Sequence, residues 1–265
     1  MNTLSYYARL YFLIEGQYIK ARLQYRADFI ISSVGIALTN IAGIFVFWVL
    51  FTTIPNLVGW TFNELLFIYG FYLLAVTPLQ IFFDNIWRLR TYVQDGSFIK
   101  FYFRPINMMF YYMSEIFDIK GVTQLFVGIA VIVYSSIQLQ LPWTLAHLLL
   151  LPIMLFSSAL VMVAIMIIAA CSAFWVVNSF PILALAFKLR EFAPYPITLF
   201  NQLFRFGFTF IIPLGFVAYY PAQLFLRPGD PSLVAYFAPL VAAVAFFLAY
   251  QVWKTGVNHW TGTGS

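Results

Sequence analysis

The sequence has very few charged residues, and one long stretch has none. Asp, Glu, Lys and Arg make up 9% of the 265 residues, and positions 121–187 form 67 consecutive residues without any of the four. Ordinary globular domains carry roughly a quarter charged residues. A stretch of 67 residues equals about three bilayer-spanning lengths of helix. With 63% hydrophobic residues and a mean hydropathy of +0.89, the chain is predicted to be an integral membrane protein with several spans.

The sequence also lacks the motifs of ATP binding and of intramembrane catalysis. It contains no GxxxxGK[ST] phosphate loop and no hydrophilic stretch long enough to house one. The two histidines, His147 and His259, belong to no HExxH or GxSxG pattern. A single cysteine, Cys171, excludes a disulfide within the chain. We therefore expect no catalytic residue, no metal site and no cofactor bound by this chain, which is not an enzyme by itself.

Six apolar segments are long enough to cross a bilayer as helices of about 20 residues. None alternates polar and apolar positions as the strands of a membrane β-barrel do. The predicted fold class is an all-α polytopic membrane protein with six transmembrane helices in a single transmembrane domain, residues 1–265. The predicted spans are residues 29–51, 62–83, 119–137, 144–177, 199–219 and 233–253.

The basic residues collect on one side of these six spans. With the N-terminus in the cytoplasm, 13 of the 14 basic residues are cytoplasmic, including Arg205 at the inner end of the fifth span, and Arg227 is outside. Short cytoplasmic loops are enriched in Lys and Arg, so both termini are predicted to be cytoplasmic. The net charge of +5 then reflects topology and contact with membrane lipid, and we expect no nucleic-acid partner.

Residues 1–26 are predicted to form a helix in the plane of the membrane. Apolar and aromatic residues recur there at helical spacing, and basic residues beside them can reach lipid headgroups. A plain basic anchor before the first span explains the same residues, so both interpretations stay open. The apolar positions are Tyr7, Leu10, Tyr11, Ile14 and Tyr18, and the basic ones are Arg9, Lys20 and Arg22.

The longest predicted cytoplasmic connection, residues 84–107, has the pattern of a short helical hairpin. Ile86, Leu89 and Val93 share one helical face. Asp95-Gly96 predicts a turn, because glycine tolerates positive φ angles. A passive loop would explain the charges but not the ordered apolar faces, so we predict a docking surface. Its candidate residues are Arg88, Arg90, Asp95, Gly96, Phe98, Lys100, Phe101 and Arg104.

Proline and glycine interrupt the fifth predicted span and the connection after it. Broken helix at membrane depth must be covered by protein or face water, because unsatisfied backbone groups are costly in lipid. Residues 212–232 are therefore predicted to form a re-entrant segment at the outer surface. The alternative is that the prolines simply end the helix there. The re-entrant segment suits an outer gate made by Pro213, Gly215, Phe216, Tyr219, Tyr220 and Pro221.

Three stretches resemble the membrane subunit of type-2 ATP-binding-cassette exporters, and specifically the viologen-exporter-like permeases. They are DGSFIKFYFRP at 95–105, EFAPYPITLF through IIPLGFVAYYPA at 191–222, and WKTGVNHWTGTGS at 253–265. The resemblance implies a multi-pass permease of the bacterial inner membrane. It also implies two partners, which are a second permease, identical or paralogous, and a cytoplasmic ATPase subunit that binds ATP and Mg.

Within such an assembly, the resemblance gives roles to both candidate sites. Residues 84–107 would be the coupling region, with Phe98 or Phe101 anchored in a cleft of the ATPase. Aromatic and Arg anchors usually carry most of the energy of an interface. Phe216, Tyr219 and Tyr220 would form an apolar plug that closes the outer mouth between the two permeases.

The substrate and two other classes of function stay open. Aromatic residues make up 21% of the chain, and aromatic rings bind cations, which favours export of a hydrophobic or cationic compound. An ion-coupled drug/proton antiporter is one alternative, and a non-catalytic membrane scaffold is another. An antiporter normally holds an ionisable residue near the bilayer centre. The acidic residues Glu64, Asp84, Glu115 and Asp118 fall instead at or near the ends of spans.

Overall fold

The computed structural model describes residues 9–11, 13, 16, 26–54, 57–227, 229 and 232–260. Most of the predicted interfacial helix lies outside these residues, including Tyr7, Ile14, Tyr18, Lys20 and Arg22. Residues 9–11, 13 and 16 are helical. The Tyr11 ring lies 6.4 Å from the ring of Phe82 and 6.3 Å from that of Phe110, measured between centroids.

The described residues are mostly helical and contain no β-strand, apart from one bridge between Leu57 and Trp60. The α-helices are α1 Arg26–Thr53, α2 Phe62–Phe82, α3 Leu89–Gln94, α4 Met108–Met113, α5 Gly121–Gln138, α6 Leu145–Cys171, α7 Phe180–Arg190, α8 Gln202–Phe206, α9 Tyr219–Leu226 and α10 Ala238–His259. Short 3-10 helices occupy Asp84–Arg88, Ser97–Phe101, Ser172–Phe174, Ile197–Leu199, Leu214–Phe216 and Leu233–Phe237, and a π-helical turn occupies Gly207–Ile211.

Five helices among the described residues are long and apolar enough to cross a membrane. They are Phe29–Thr53, Phe62–Phe82, Gly121–Gln138, Leu145–Phe174 and Leu233–His259. Each agrees with a predicted span to within a few residues, except that the last continues to His259. The all-helical membrane fold is therefore confirmed, and five of the six predicted spans correspond to long apolar helices.

Helix α2 occupies the centre of the bundle and packs against α5 and α6, while α10 packs along α6. Small residues let the helices approach, as is usual in membrane bundles. A Cβ added to Gly70 would lie 2.9 Å from side-chain carbons of Val131 and Ile132, and one added to Gly128 would lie 2.7 Å from Leu74. Substitution of these glycines would therefore push α2 and α5 apart.

The bundle has two ends, which we name by residues found there. The loop end carries residues 84–107 and the C-terminal ends of α6 and α10, because the Phe98 ring lies 5.3 Å from Phe174 and 6.0 Å from Trp253. The opposite end is the Trp60 end, where the Arg227 guanidinium lies 5.1 Å from the Trp60 ring.

The fifth crossing of the bundle does not lie where the sequence predicts it. Phe180, at the start of α7, is at the loop end, where the Arg90 guanidinium lies 5.9 Å from its ring. Thr198 is at the Trp60 end, where its hydroxyl accepts a hydrogen bond of 2.9 Å from the Trp60 indole. Residues 180–199 therefore connect the two ends, although α7 has 11 residues and is too short to span a bilayer unaided.

The predicted span 199–219 is therefore wrong, because both of its ends lie near Trp60. The Tyr219 ring is 6.0 Å from the Trp60 ring, and Thr198 bonds the same indole. Arg205 was predicted at the inner side, but it donates a 2.8 Å hydrogen bond to the carbonyl of Phe200 and another to that of Thr198. Arg205 thus lies at the Trp60 end.

Residues 200–218, which we call the returning segment, leave the Trp60 end and come back to it. The π-helical turn ends at Ile211, and Pro213 follows without a backbone N–H to continue a helix. The Ser158 hydroxyl of α6 donates a 3.1 Å hydrogen bond to the carbonyl of Phe216. All eight residues of α9, which follows, are buried. Residues 214–226 are thus buried by neighbouring elements, whereas Phe210 and Ile211, just before the break, are 72% and 70% exposed.

Candidate functional site

The loop 84–107 contains the predicted turn. Gly96 has a φ of 75°, in the left-handed region that favours glycine. The hydroxyl and the backbone N–H of Ser97 both donate to the Asp95 carboxylate. These hydrogen bonds from Ser97 hold the pKa of the exposed Asp95 below its ordinary value. The turn at Asp95-Gly96 is confirmed, and its carboxylate is ionised at neutral pH.

Phe98 and Phe101, the two rings predicted to anchor the loop in a cleft of the ATPase, are buried in this structure. Their exposed fractions are 0% and 1%, because both rings face the bundle. Phe98 contacts the rings of Trp253 and Trp260 at 6.0 and 5.3 Å, and Phe101 lies 5.0 Å from Tyr112. These two rings attach the loop to its own chain and are not available to another protein.

Phe103 is the exposed aromatic residue that the sequence analysis did not select. It is 77% exposed, and its neighbours Tyr102 and Arg104 are also exposed. Among the predicted contact residues, Arg88, Asp95, Lys100 and Arg104 are exposed, whereas Arg90 is half-buried. Lys100 forms an ion pair with Glu115. The exposed residues of the loop that remain for a partner include Arg88, Phe103 and Arg104.

Hydrogen bonds fix this loop to several helices. The Tyr102 hydroxyl donates a 2.8 Å bond to the carbonyl of Val257 near the end of α10. Asn85 and Tyr112 exchange two bonds of 2.6 Å. The Gln94 amide donates to the carbonyl of Val177 after α6. A displacement of the loop must therefore move the loop ends of α6 and α10 with it.

The predicted gate residues are brought together, but inside one chain. The exposed fractions of Phe216, Tyr219 and Tyr220 are 3%, 5% and 8%. The Tyr220 ring lies 4.8 Å from Phe216 and 5.0 Å from Tyr219, and its hydroxyl is 3.0 Å from that of Thr209. Gly215 and Pro221 are also buried, and Pro213 is half-buried. In this conformation the rings are not free to form a plug between two permeases.

A cavity of about 570 Å³ lies between α1 and α2 and is closed on one side by residues that follow α7. Phe47, Tyr69 and Tyr195 form part of its wall, with ring centroids 5.5 Å apart for Phe47–Tyr69 and 5.3 Å for Phe47–Tyr195. The polar residues of the wall include Asn40, Gln80, Gln124, Arg190 and Glu191.

Two charged residues, Arg190 and Glu191, line this cavity. They line it together with Tyr72, at the midpoint of α2, and Gln80, near the loop end of α2. The sequence analysis missed the two charged residues because the letters FKLRE at 187–191 resemble a cytoplasmic boundary. Charged residues within a membrane domain are functional candidates.

Among the described residues, no group of three or more His, Cys, Asp or Glu is placed to hold a metal.

Comparison with known proteins identifies the family. The family model described as "ABC-2 family transporter protein" matches residues 37–264, which is most of the chain. The chain therefore belongs to the ABC-2 transporter family and is a transmembrane ABC transporter permease. No curated protein and no solved structure matches it.

Proposed function

We propose that this permease is half of the membrane part of a type-2 exporter and uses ATP hydrolysed by a separate subunit. ATP and Mg would bind to that ATPase, and a second permease, identical or paralogous, would complete the assembly. The stretches at 95–105, 191–222 and 253–265 favour the viologen-exporter-like branch. The observation that carries the proposal is the attachment of loop 84–107 to the ends of α6 and α10.

Force from the ATPase would enter through this loop. Its first residues follow α2 directly, Tyr102 holds the end of α10, and Gln94 holds the chain after α6. Because α6 packs against both α2 and α10, a push on the loop tilts three long helices together. The buried rings of Phe98 and Phe101 make the connection rigid, while Phe103 and Arg104 make the contact.

The loop end is proposed to face the cytoplasm of a bacterium, with the protein in the inner membrane and both termini cytoplasmic. Exposed basic residues support this orientation, because short cytoplasmic loops are rich in Lys and Arg. Arg88, Arg104 and Lys254 are exposed at the loop end. Arg205 and Arg227 are the basic residues that lie at the Trp60 end of the described structure.

The returning segment is proposed to close the outer side of each permease separately. The Phe216 carbonyl of this segment accepts a hydrogen bond from Ser158 of α6, and the ring of Tyr219, which follows the segment, lies 6.0 Å from Trp60 of the same chain, so closure needs no second copy. A tilt of α6 would pull on the Phe216 carbonyl through Ser158. We therefore keep the outer gate predicted from the sequence, but we propose that it acts within one chain and not between two permeases.

The experiment that tests this function is reconstitution with an ATPase. The permease is co-expressed with an ABC ATPase subunit from the same genome, purified through a tag on the permease, and placed in lipid vesicles. We expect the ATPase to co-purify and to hydrolyse ATP faster in the complex than alone. A matched ATPase with its phosphate-loop Lys replaced should co-purify without hydrolysis. Failure of the parent ATPase to associate with the permease would refute the proposal.

One observation favours the ion-coupled alternative as a second candidate. Glu191 lines the cavity and pairs with Lys188 at 3.0 Å. A carboxylate in that position can carry protons across a membrane. If the permease is an antiporter, collapse of the proton gradient will stop transport in cells, and Glu191→Gln will do the same. An ABC exporter will continue to work in both cases while ATP is present.

A further inference from the structure

The walls of the cavity between α1 and α2 contain polar groups that lack partners. Asn40, Gln80 and Arg190 come from α1, α2 and α7, and all three line the cavity. In the described structure the Asn40 Nδ2, Gln80 Oε1 and Arg190 Nε atoms are buried and have no hydrogen-bond partner. Such groups are uncommon in folded proteins and costly in lipid. Each of these side chains therefore has a hydrogen bond to gain from a polar ligand.

The charged residues of the wall are Arg190 and Glu191, and Glu191 is paired with Lys188, which does not line the cavity. The Arg190 guanidinium stands 4.9 Å from the Phe187 ring and has no ion pair with a carboxylate in the described part of the chain. Arginine forms its strongest hydrogen bonds with carboxylates and phosphates. The Arg190 guanidinium, unpaired at the wall of the cavity, thus favours a ligand with an anionic group.

The remainder of the wall is aromatic and apolar. Phe47, Tyr69, Tyr72 and Tyr195 line it together with Ile36, Val46 and Val76. The Tyr69 hydroxyl donates a 3.1 Å bond to the backbone carbonyl of Asn40, so its polar end is already satisfied and its ring is left for apolar contact. These surfaces suit an apolar or aromatic body attached to the anionic group.

We propose that this cavity binds an amphiphile that carries a carboxylate or a phosphate. The anionic group pairs with Arg190, and the apolar body lies against the rings of Phe47, Tyr69 and Tyr195. The inference rests on the proposed function, whose ligand class it specifies, and it replaces the expectation of a cationic compound. Two sources supply this chemistry, a dissolved anionic compound and an anionic phospholipid of the bilayer.

The test uses the full-length permease, without ATPase, in phosphatidylcholine nanodiscs. The probes are 11-(dansylamino)undecanoic acid and its uncharged methyl ester, and binding is followed by dansyl fluorescence. We expect the parent to bind the acid at least about tenfold more tightly than the ester, as for a hydrogen bond to a charged group. Arg190→Gln should remove this preference, Arg190→Lys should keep part of it, and the control Lys254→Gln, at an exposed basic residue outside the cavity wall, should keep all of it.

Equal binding of acid and ester by the parent would overturn the proposal, as would an unchanged preference in Arg190→Gln. A second variant covers the case in which Arg190→Gln does not fold. Gly35 lines the cavity, and a Cβ added there meets no atom within 4 Å. Gly35→Phe should fill the space and weaken acid and ester alike. Parent-like binding by Gly35→Phe would place the probe elsewhere and refute the site.

A lipid comparison distinguishes the two sources. The parent and Arg190→Gln are measured again in nanodiscs that contain phosphatidylglycerol. If this lipid weakens binding of the acid to the parent, the site accepts bilayer phospholipid, and if it does not, the site selects a dissolved anion. Because no ATPase is present in this experiment, a negative result refutes only the anion-binding site. The proposal of ATP-driven transport is tested separately by the reconstitution with an ATPase.

Discussion

Arg227 donates a hydrogen bond to the carboxylate of Glu64, although 163 residues separate them in the sequence. The Glu64 side chain is 9% exposed, and it also accepts 2.8 and 2.9 Å hydrogen bonds from the backbone N–H and the hydroxyl of Thr61. The Arg227 guanidinium covers the Trp60 ring. This ion pair connects the start of α2 to the residue after α9, and so holds α9 at the Trp60 end.

Arg227→Gln should destabilise the protein, because it leaves the buried Glu64 carboxylate without its cation. The expected loss is about 1–3 kcal/mol of unfolding free energy, measured by thermal or denaturant unfolding in detergent. Lys254→Gln, at an exposed residue of α10, is the control and should match the parent. The double variant Glu64→Gln/Arg227→Gln should lose less unfolding free energy than the sum of the losses of the two single variants. Additive losses would show that the pair is not coupled.

Phe98→Ala and Phe103→Ala should have different effects, because one ring is buried and the other is 77% exposed. Removal of the buried ring is expected to cost about 3–5 kcal/mol of stability. Phe103→Ala should unfold at the same temperature as the parent, but less ATPase should co-purify with it. Charge reversal at Arg88 should weaken the same association. Parent-like co-purification of both Phe103→Ala and Arg88→Glu would place the coupling surface elsewhere.

The position of the fifth crossing can be tested by cysteine labelling from either side of the membrane. In a Cys171→Ala background, Gln202→Cys should react with an impermeant reagent from the same side as Gly229→Cys. Ser97→Cys should react from the opposite side. The reason is that Thr198 and Arg205 lie at the Trp60 end. If Gln202→Cys reacts from the same side as Ser97→Cys, the span predicted at 199–219 would be correct after all.

Tyr220→Phe should loosen the returning segment without removing any ring. It deletes the hydroxyl that lies 3.0 Å from that of Thr209, at an expected cost of about 1 kcal/mol. In vesicles with the ATPase we expect faster basal ATP hydrolysis, because the closed outer side is less stable. Tyr236→Phe, at a 54% exposed tyrosine, is the matched control. If both variants hydrolyse ATP at the parent rate, the segment is not a gate.

The candidate sites show where sequence reasoning succeeded and where it stopped. The loop 84–107 and its turn could be predicted because Asp95-Gly96 is a local signal. Which of Phe98 and Phe103 has the exposed ring could not be predicted, since both residues are aromatic and they lie only five positions apart. Which ring is buried depends on Trp253 and Trp260, which lie more than 150 residues further along the chain.

Composition and hydrophobic runs determined by themselves that this protein is a helical membrane protein and where five of its long helices lie, because about 20 consecutive apolar residues are needed to cross a bilayer. Only the tertiary structure decided the fifth crossing and the cavity beside it. Residues 180–199 combine a short helix with Lys188, Arg190 and Glu191, which hydropathy alone assigns to water. Arg190 and Glu191 form part of the wall of that cavity beside α1 and α2, and Glu191 is paired with Lys188, because charged groups of a membrane domain pair with one another or face a cavity.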